Sequence, residues 1–247
     1  MPDDDYREIS NLLFRTEDRY RTARATIEHR RQGMLATEAI NRYVEYGFSH
    51  GILSNFDPPY HVPRYREYGD LEENTRLWHE RPDRWRQETE SSDQPGITYR
   101  VADGQGPWWF YQPPDWADYS PANPNGEFSP DEEFACLLDP FRVRYGFECT
   151  LKIVGEAYVT GRNTVEVEAK AISWDYAPHG PFWDGADDYL MSVDAEIGVI
   201  LRFASRLRGA ECDSFEITEL VFDETFPEDT FVLDLPGIDF ERIDPLP

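Results

Sequence analysis

The sequence predicts a mainly β protein of α+β type. The expected core is a single curved antiparallel sheet of about ten to eleven strands, forming an incomplete half-barrel with helices over its concave face. Three observations predict it. Apolar and polar residues alternate through most of the chain. Turn residues recur at short distances. Helical spacing is confined to a few stretches.

Taken in order, Tyr6, Ile9, Leu12, Leu13 and Phe14 recur at helical spacing behind a run of aspartates, which predicts a short amphipathic helix over 4–17. In "YRTARATIEHRRQ", Ala23, Ala25 and Ile27 point to one side while Arg24, Thr26 and Glu28 point to the other, the signature of a half-buried strand. Leu35, Ala39, Tyr43, Tyr46 and Phe48 then place a helix over about 35–50, ahead of a Pro-rich irregular loop.

From Thr75 the β pattern returns as "TRLWHE", "DRWRQETES", "GITYRVAD" and "PWWFYQP", divided by "RPD", "SSDQPG" and "DGQG", an antiparallel meander. Residues 113–134 are the longest stretch without an element, and a short helix follows within "DEEFACLLDPFRVRYGF". Five strands in close succession complete the sheet, from "ECTLKIVGEAYVTGR" to "DSFEITELVFDE". The chain reads as one domain, 1–247, with a helical and loop insertion near 34–73 and a long loop near 113–130.

Composition removes several functions. The formal net charge is −25, and of 24 basic residues only Lys152 and Lys170 are lysines, so the chain repels phosphate backbones and no nucleic acid is expected. The start is acidic and lacks a long apolar run, which argues against a secretory signal, and no stretch reaches the length needed to span a bilayer. Cys136, Cys149 and Cys212 lie far apart with no CxxC spacing, as in a reducing, cytoplasmic setting.

Several segments resemble the LolA-like family, which includes LolB and the N-terminal domain of RseB-type regulators. "RTARATIEHRR" resembles the strand after the first helix, and "LWHERPDRWRQE" the strand, Pro-turn, strand segment. "ITYRVADGQGPWWFYQP" resembles the next hairpin, "GEAYVTGRNTVEVEAKA" the G-x-x-x-x-G-R hairpin, and "EITELVFDETFPEDTFVLDLP" the closing strand and tail. "YLMSVDAEIGVILRFASRLRG", with its VD-x-x-x-G-x-x-L-R turn, is the strongest likeness. The resemblance covers most of the chain and implies a half-barrel wrapped around helices and a hydrophobic cavity. With an acidic start and no lipid-attachment cysteine near it, the chain looks most like the cytosolic LolA-like proteins of GC-rich, actinobacterial-type genomes. The quoted motifs are structural punctuation: Gly198 suits a positive φ and Asp194 a loop cap.

Signals for chemistry are weak by comparison. His179, Asp184, Asp187 and Asp188 in "HGPFWDGADD" lack the spacing of an HExxH pair or an EF-hand loop, and no metal is expected there. Glu166 and Glu168 share a strand face, but the one opposite to Val165 and Val167. There is no G-x-S-x-G elbow, G-x-G-x-x-G or Walker motif, so neither catalytic residues nor a cofactor are assigned.

Aromatics are the distinctive resource, at 15% of the chain with seven tryptophans. The leading expectation is a non-catalytic binding protein for a hydrophobic small molecule, acyl chain or lipid. Its cavity would be lined by the inward-alternating Ile27, Leu77, Trp85, Trp108, Phe110, Val165, Val167, Leu201 and Phe203. One alternative is a cyclase- or isomerase-like enzyme acting on a hydrophobic intermediate in that cavity, with His61, His79 and His179 as its first candidates. Another is an interaction or regulatory module whose acidic surface meets a basic protein partner.

Overall fold

The computed structural model describes residues 2–13, 19–51, 66–104, 106–121, 131–140, 149–172 and 183–243. Among these, three helices, α1 (Pro2–Leu13), α2 (Gly33–Ser49) and α3 (Glu132–Leu138), accompany twelve strands. The first group is β1 (Thr22–Arg31), β2 (Leu71–Glu80), β3 (Arg84–Ser91), β4 (Gln94–Asp103), β5 (Trp108–Gln112) and β6 (Trp116–Ser120). The second is β7 (Cys149–Val159), β8 (Arg162–Ala171), β9 (Asp188–Asp194), β10 (Ile200–Leu207), β11 (Ala210–Phe222) and the two-residue β12 (Glu241–Arg242).

All twelve strands belong to one open sheet in the order β12-β6-β5-β4-β3-β2-β1-β11-β10-β9-β8-β7. Every pairing among the described strands is antiparallel except β12 with β6. The long-range step is β1 against β11, where Ile27 faces Ile217 and His29 faces Phe215. It joins the meander β1–β6 to the meander β7–β11, so the two halves share one continuous sheet.

Strand β6 is a correction to the sequence reading, which left Trp116–Ser120 within a loop. The alternation over these residues is short and lies among prolines, but β5 supplies a hydrogen-bonding template on one side and β12 on the other. Residues 122–130 of that expected loop and 52–65 of the expected insertion lie outside the described residues. Strand β2 also begins earlier than expected, at Leu71, because β1 pairs with it as far as Arg31–Leu71.

The sheet is rolled. The Thr160 hydroxyl at the β7–β8 turn donates to the Ile217 carbonyl of β11, and the Arg162 guanidinium lies over the Phe222 ring at 5.6 Å. In a flat sheet β8 and β11 would stand roughly 14 Å apart, three strand spacings, so these contacts require strong curvature. The inner face of the roll carries the main core. Ala25, Ile27, Leu77, Trp85, Val167, Met191, Phe203 and Phe215 pack there against Ile9 and Leu13 of α1 and Phe134, Leu137 and Leu138 of α3. Helix α2 covers one end through Ala39, which packs on Leu207 and Cys212.

The VD-x-x-x-G turn shows the expected chemistry. Asp194, buried at the end of β9, accepts backbone N–H groups of Glu196 and Ile197 and pairs with Arg162. Burial alone would raise its pKa, but Arg162 and these two N–H groups hold the carboxyl below the usual range. Gly198 has φ +86°, and a Cβ there would collide with the Leu12 carbonyl oxygen, so the glycine also lets α1 dock.

Candidate functional site

The inner face is the candidate site, and strand pairing shows what it displays. Leu77 is opposite Ala25, Trp85 opposite His79, Trp108 opposite Ala102, and Phe110 opposite Arg100. On the other side of β1, Phe203 pairs with both Phe215 and Met191, and Met191 in turn with Val167. The nine residues singled out from the sequence therefore share one face. They do not form one cluster. Ile27, Leu77, Trp85, Val167, Leu201 and Phe203 lie in the main core, with Val165 partly buried against it. Trp108 and Phe110 form a separate small cluster with Ala102. Beside it, Trp116 is 57% exposed, with its ring edge-on to Phe110 at 5.1 Å.

The remaining aromatics of this wing serve a purpose that the sequence reading missed. Trp78, Tyr99, Trp109 and Tyr111 face the outer side, where Phe226, Phe231, Leu233, Leu235 and Phe240 of the segment after β11 pack over them around Val101. Arg86 fastens that segment by donating to the Thr230 carbonyl at 3.0 Å, and Arg84 lies over the Phe231 ring at 4.4 Å. Much of the aromatic content is thus spent on a second apolar layer outside the sheet. The signal was present in "TFPEDTFVLDLPGIDF", whose apolar residues are too regularly spaced for a solvated tail.

Among the described residues, three sets of polar side chains on the inner face contact one another around β1 and α3. In the first, His29 Nδ1 donates to Glu73 at 2.7 Å and Nε2 to Asp213 at 2.9 Å, and Arg31 Nε also donates to Asp213 at 3.0 Å. With a carboxylate on each ring nitrogen, both nitrogens must carry protons, so His29 is an imidazolium. Burial would lower its pKa, but the hydrogen bonds to Asp213 and Glu73 outweigh it and raise the value to about 9. The ring stacks on Phe215 at 4.1 Å and meets Phe134 of α3 edge-on.

The second set lies at the start of α3. Gln87 and Asp131 exchange two hydrogen bonds of 2.9 Å, side-chain amide to carboxylate and backbone N–H to amide oxygen, and Asp131 also pairs with Arg100 at 2.8 Å. The third lies at its end. The Tyr20 hydroxyl donates to the Leu138 carbonyl at 2.7 Å, so its oxygen accepts from His79 Nδ1 at 3.1 Å. This fixes His79 in the tautomer protonated at Nδ1, and its ring stacks on Trp85 at 3.6 Å. Arg81 lies over the Tyr20 ring at 4.4 Å and 3.9 Å from Asp139.

Of the enzyme candidates, His79 is buried in this contact set, while His61 and His179 lie outside the described residues. The acidic loop is engaged elsewhere: Asp187 pairs with Arg42 and accepts the Arg208 N–H, and Asp188 pairs with Arg206. Glu168 faces outward to Arg206 and Lys170. No group of three or more potential ligands for a metal ion occurs among the described residues, and none of their helices is long and apolar enough to cross a membrane.

No family model and no curated protein matches the chain. Solved structures do match. An uncharacterised conserved protein from Thermus thermophilus aligns at TM-score 0.52 and 10% identity, covering 96% of this chain and 99% of that one. A chain of the MucA/MucB complex from Pseudomonas aeruginosa aligns at TM-score 0.46 and 13% identity, over 92% of this chain and 60% of that one. A LolA superfamily protein from Nitrosomonas europaea aligns at TM-score 0.35 and 8% identity, over 91% and 97%. At 10% identity the likeness to the Thermus protein is one of fold. An open, rolled antiparallel sheet with helices against its inner face is the half-barrel architecture expected from the sequence.

Proposed function

We propose that the protein is a non-catalytic binding protein that holds an apolar small molecule or acyl chain against the inner face of its half-barrel. The observation that carries this reading is the cluster of Trp108 and Phe110. It is a buried aromatic pair on the inner face that stays separate from the main core and is edged by the exposed Trp116. Contact with the exposed Trp116 edge of this pair would drive binding at about 25 cal/mol per Å² of apolar area removed from water, before entropy costs. Binding is favoured over catalysis because the inner-face titratable groups are engaged with one another, His29 with two carboxylates and His79 with Tyr20. The buried thiols of Cys136, Cys149 and Cys212 suit a reducing compartment, the cytoplasm.

The test is native mass spectrometry of freshly purified protein, followed by extraction and titration with a library of apolar compounds. Retention or saturable uptake of an apolar molecule is the expected result. A protein that carries nothing and takes up nothing across the library would refute the reading.

A further inference from the structure

The sharpest polar irregularity of the inner face is Arg81. Its side chain is only 14% exposed, yet its Nε and Nη2 are buried and have no hydrogen-bond partner among the described residues. The partner of its charge, Asp139, stands 3.9 Å away on the side of Nη1. A guanidinium buried with donors unanswered is costly, and such groups are almost always paired. The identity of the unanswered atoms matters more than their number. Nε–H and one N–H of Nη2 project in parallel from the same edge of the guanidinium, the edge that grips both oxygens of a carboxylate or two of a phosphate.

The surroundings hold this edge in place. The guanidinium is stacked on Tyr20, whose hydroxyl is fixed between Leu138 and His79, and His79 is in turn stacked on Trp85. The backbone N–H of Arg81 is bonded to the Arg21 carbonyl, which ties the residue to the start of β1. Arg81 therefore sits at the end of the inner face where β1 begins, β2 turns into β3 and α3 ends. Leu77 and Trp85, expected from the sequence to face a ligand and packed in the main core, lie on the strands that flank it.

We propose that Arg81 is the head-group anchor of the inner face, and that the ligand is an anionic amphiphile whose carboxylate or phosphate is held by the Nε–Nη2 edge while its apolar chain lies along the sheet. The proposal rests on the binding function proposed above and narrows its ligand class.

The test compares oleate, oleyl alcohol and inorganic phosphate, titrated into the full chain and into Arg81→Gln and Arg81→Lys, by native mass spectrometry and tryptophan fluorescence. The parent chain should bind oleate at least about tenfold more tightly than oleyl alcohol, as expected for a charge-assisted hydrogen-bonded pair. Arg81→Gln should lose that preference while keeping its affinity for the alcohol, which also shows that the variant is folded. Arg81→Lys should keep only part of the preference, since an ammonium lacks the fork. Equal affinity of the parent chain for oleate and oleyl alcohol would overturn the anchor but leave the binding function standing. So would a preference that survives in Arg81→Gln. Binding of inorganic phosphate that depends on Arg81 and does not compete with oleate would overturn it in favour of a free-anion site. Failure of both oleyl compounds to bind would overturn the anchor, and failure across the wider apolar library would refute the binding function with it.

Discussion

His29 Nε2 donates to Asp213 Oδ1 across 2.9 Å between adjacent strands, near the register pair His29–Phe215, while the other ring nitrogen is held by Glu73. The ring thus bridges β1 to β2 and to β11, the seam where the two meanders meet. Its folded pKa of about 9 lies above the ordinary histidine value of 6.5. A raised histidine pKa means that stability is fully present below pH 6.5 and is lost as the pH rises through about 9. The shift corresponds to a contribution on the order of 3 kcal/mol. Urea denaturation midpoints should fall between about pH 6.5 and 9.5 in the parent chain, and His29→Phe should flatten this slope. An unchanged slope in the variant would assign the pH dependence to other groups.

Asp194→Ala should destabilise the fold by about 2–4 kcal/mol, because it leaves two turn N–H groups and the Arg162 guanidinium without their acceptor. Gly198→Ala should destabilise it as well and should also loosen α1, since the new Cβ meets the Leu12 carbonyl. Hydrogen exchange in residues 2–13 distinguishes the two variants: faster exchange of α1 is expected chiefly for Gly198→Ala.

Phe231, fully buried on the outer face, anchors the segment after β11. Phe231→Ala should cost about 3–5 kcal/mol. Removing residues 225–247 should uncover Trp78, Tyr99, Trp109 and Tyr111 and produce dye binding and self-association. A well-behaved truncated chain would contradict the covering role given to this segment.

Leu77 and Phe110 should respond oppositely to truncation. Leu77→Ala opens a cavity in the main core and should lower stability by about 2–5 kcal/mol. Phe110→Ala removes one member of a small separate cluster, so it should weaken binding of an apolar probe more than it weakens the fold. Parallel denaturation and probe titration of both variants decide the matter. Equal losses of stability would make the Trp108–Phe110 surface ordinary core.

The sequence by itself determined most of the half-barrel's elements and the sidedness of its strands. A period of two leaves no freedom once one residue is placed, so Ala23, Ala25 and Ile27 fixed the inner face of β1. The same alternation, carried two steps further, puts His29 and Arg31 on that face. Tertiary structure alone decided what they meet there: Glu73 comes from β2 and Asp213 from β11, strands brought together by long-range pairing. It also decided that β6 is a strand, because β5 and β12 beside it supply the hydrogen bonds that a short, Pro-flanked segment needs. It placed Trp78, Tyr99, Trp109 and Tyr111 beneath the segment after β11, where alternation alone could say only that they oppose Trp108 and Phe110. Arg81 is the limiting case. Its position after a strand and before a proline was legible, but the unanswered Nε–Nη2 edge exists only because Tyr20, Leu138 and Asp139, distant in sequence, close around it.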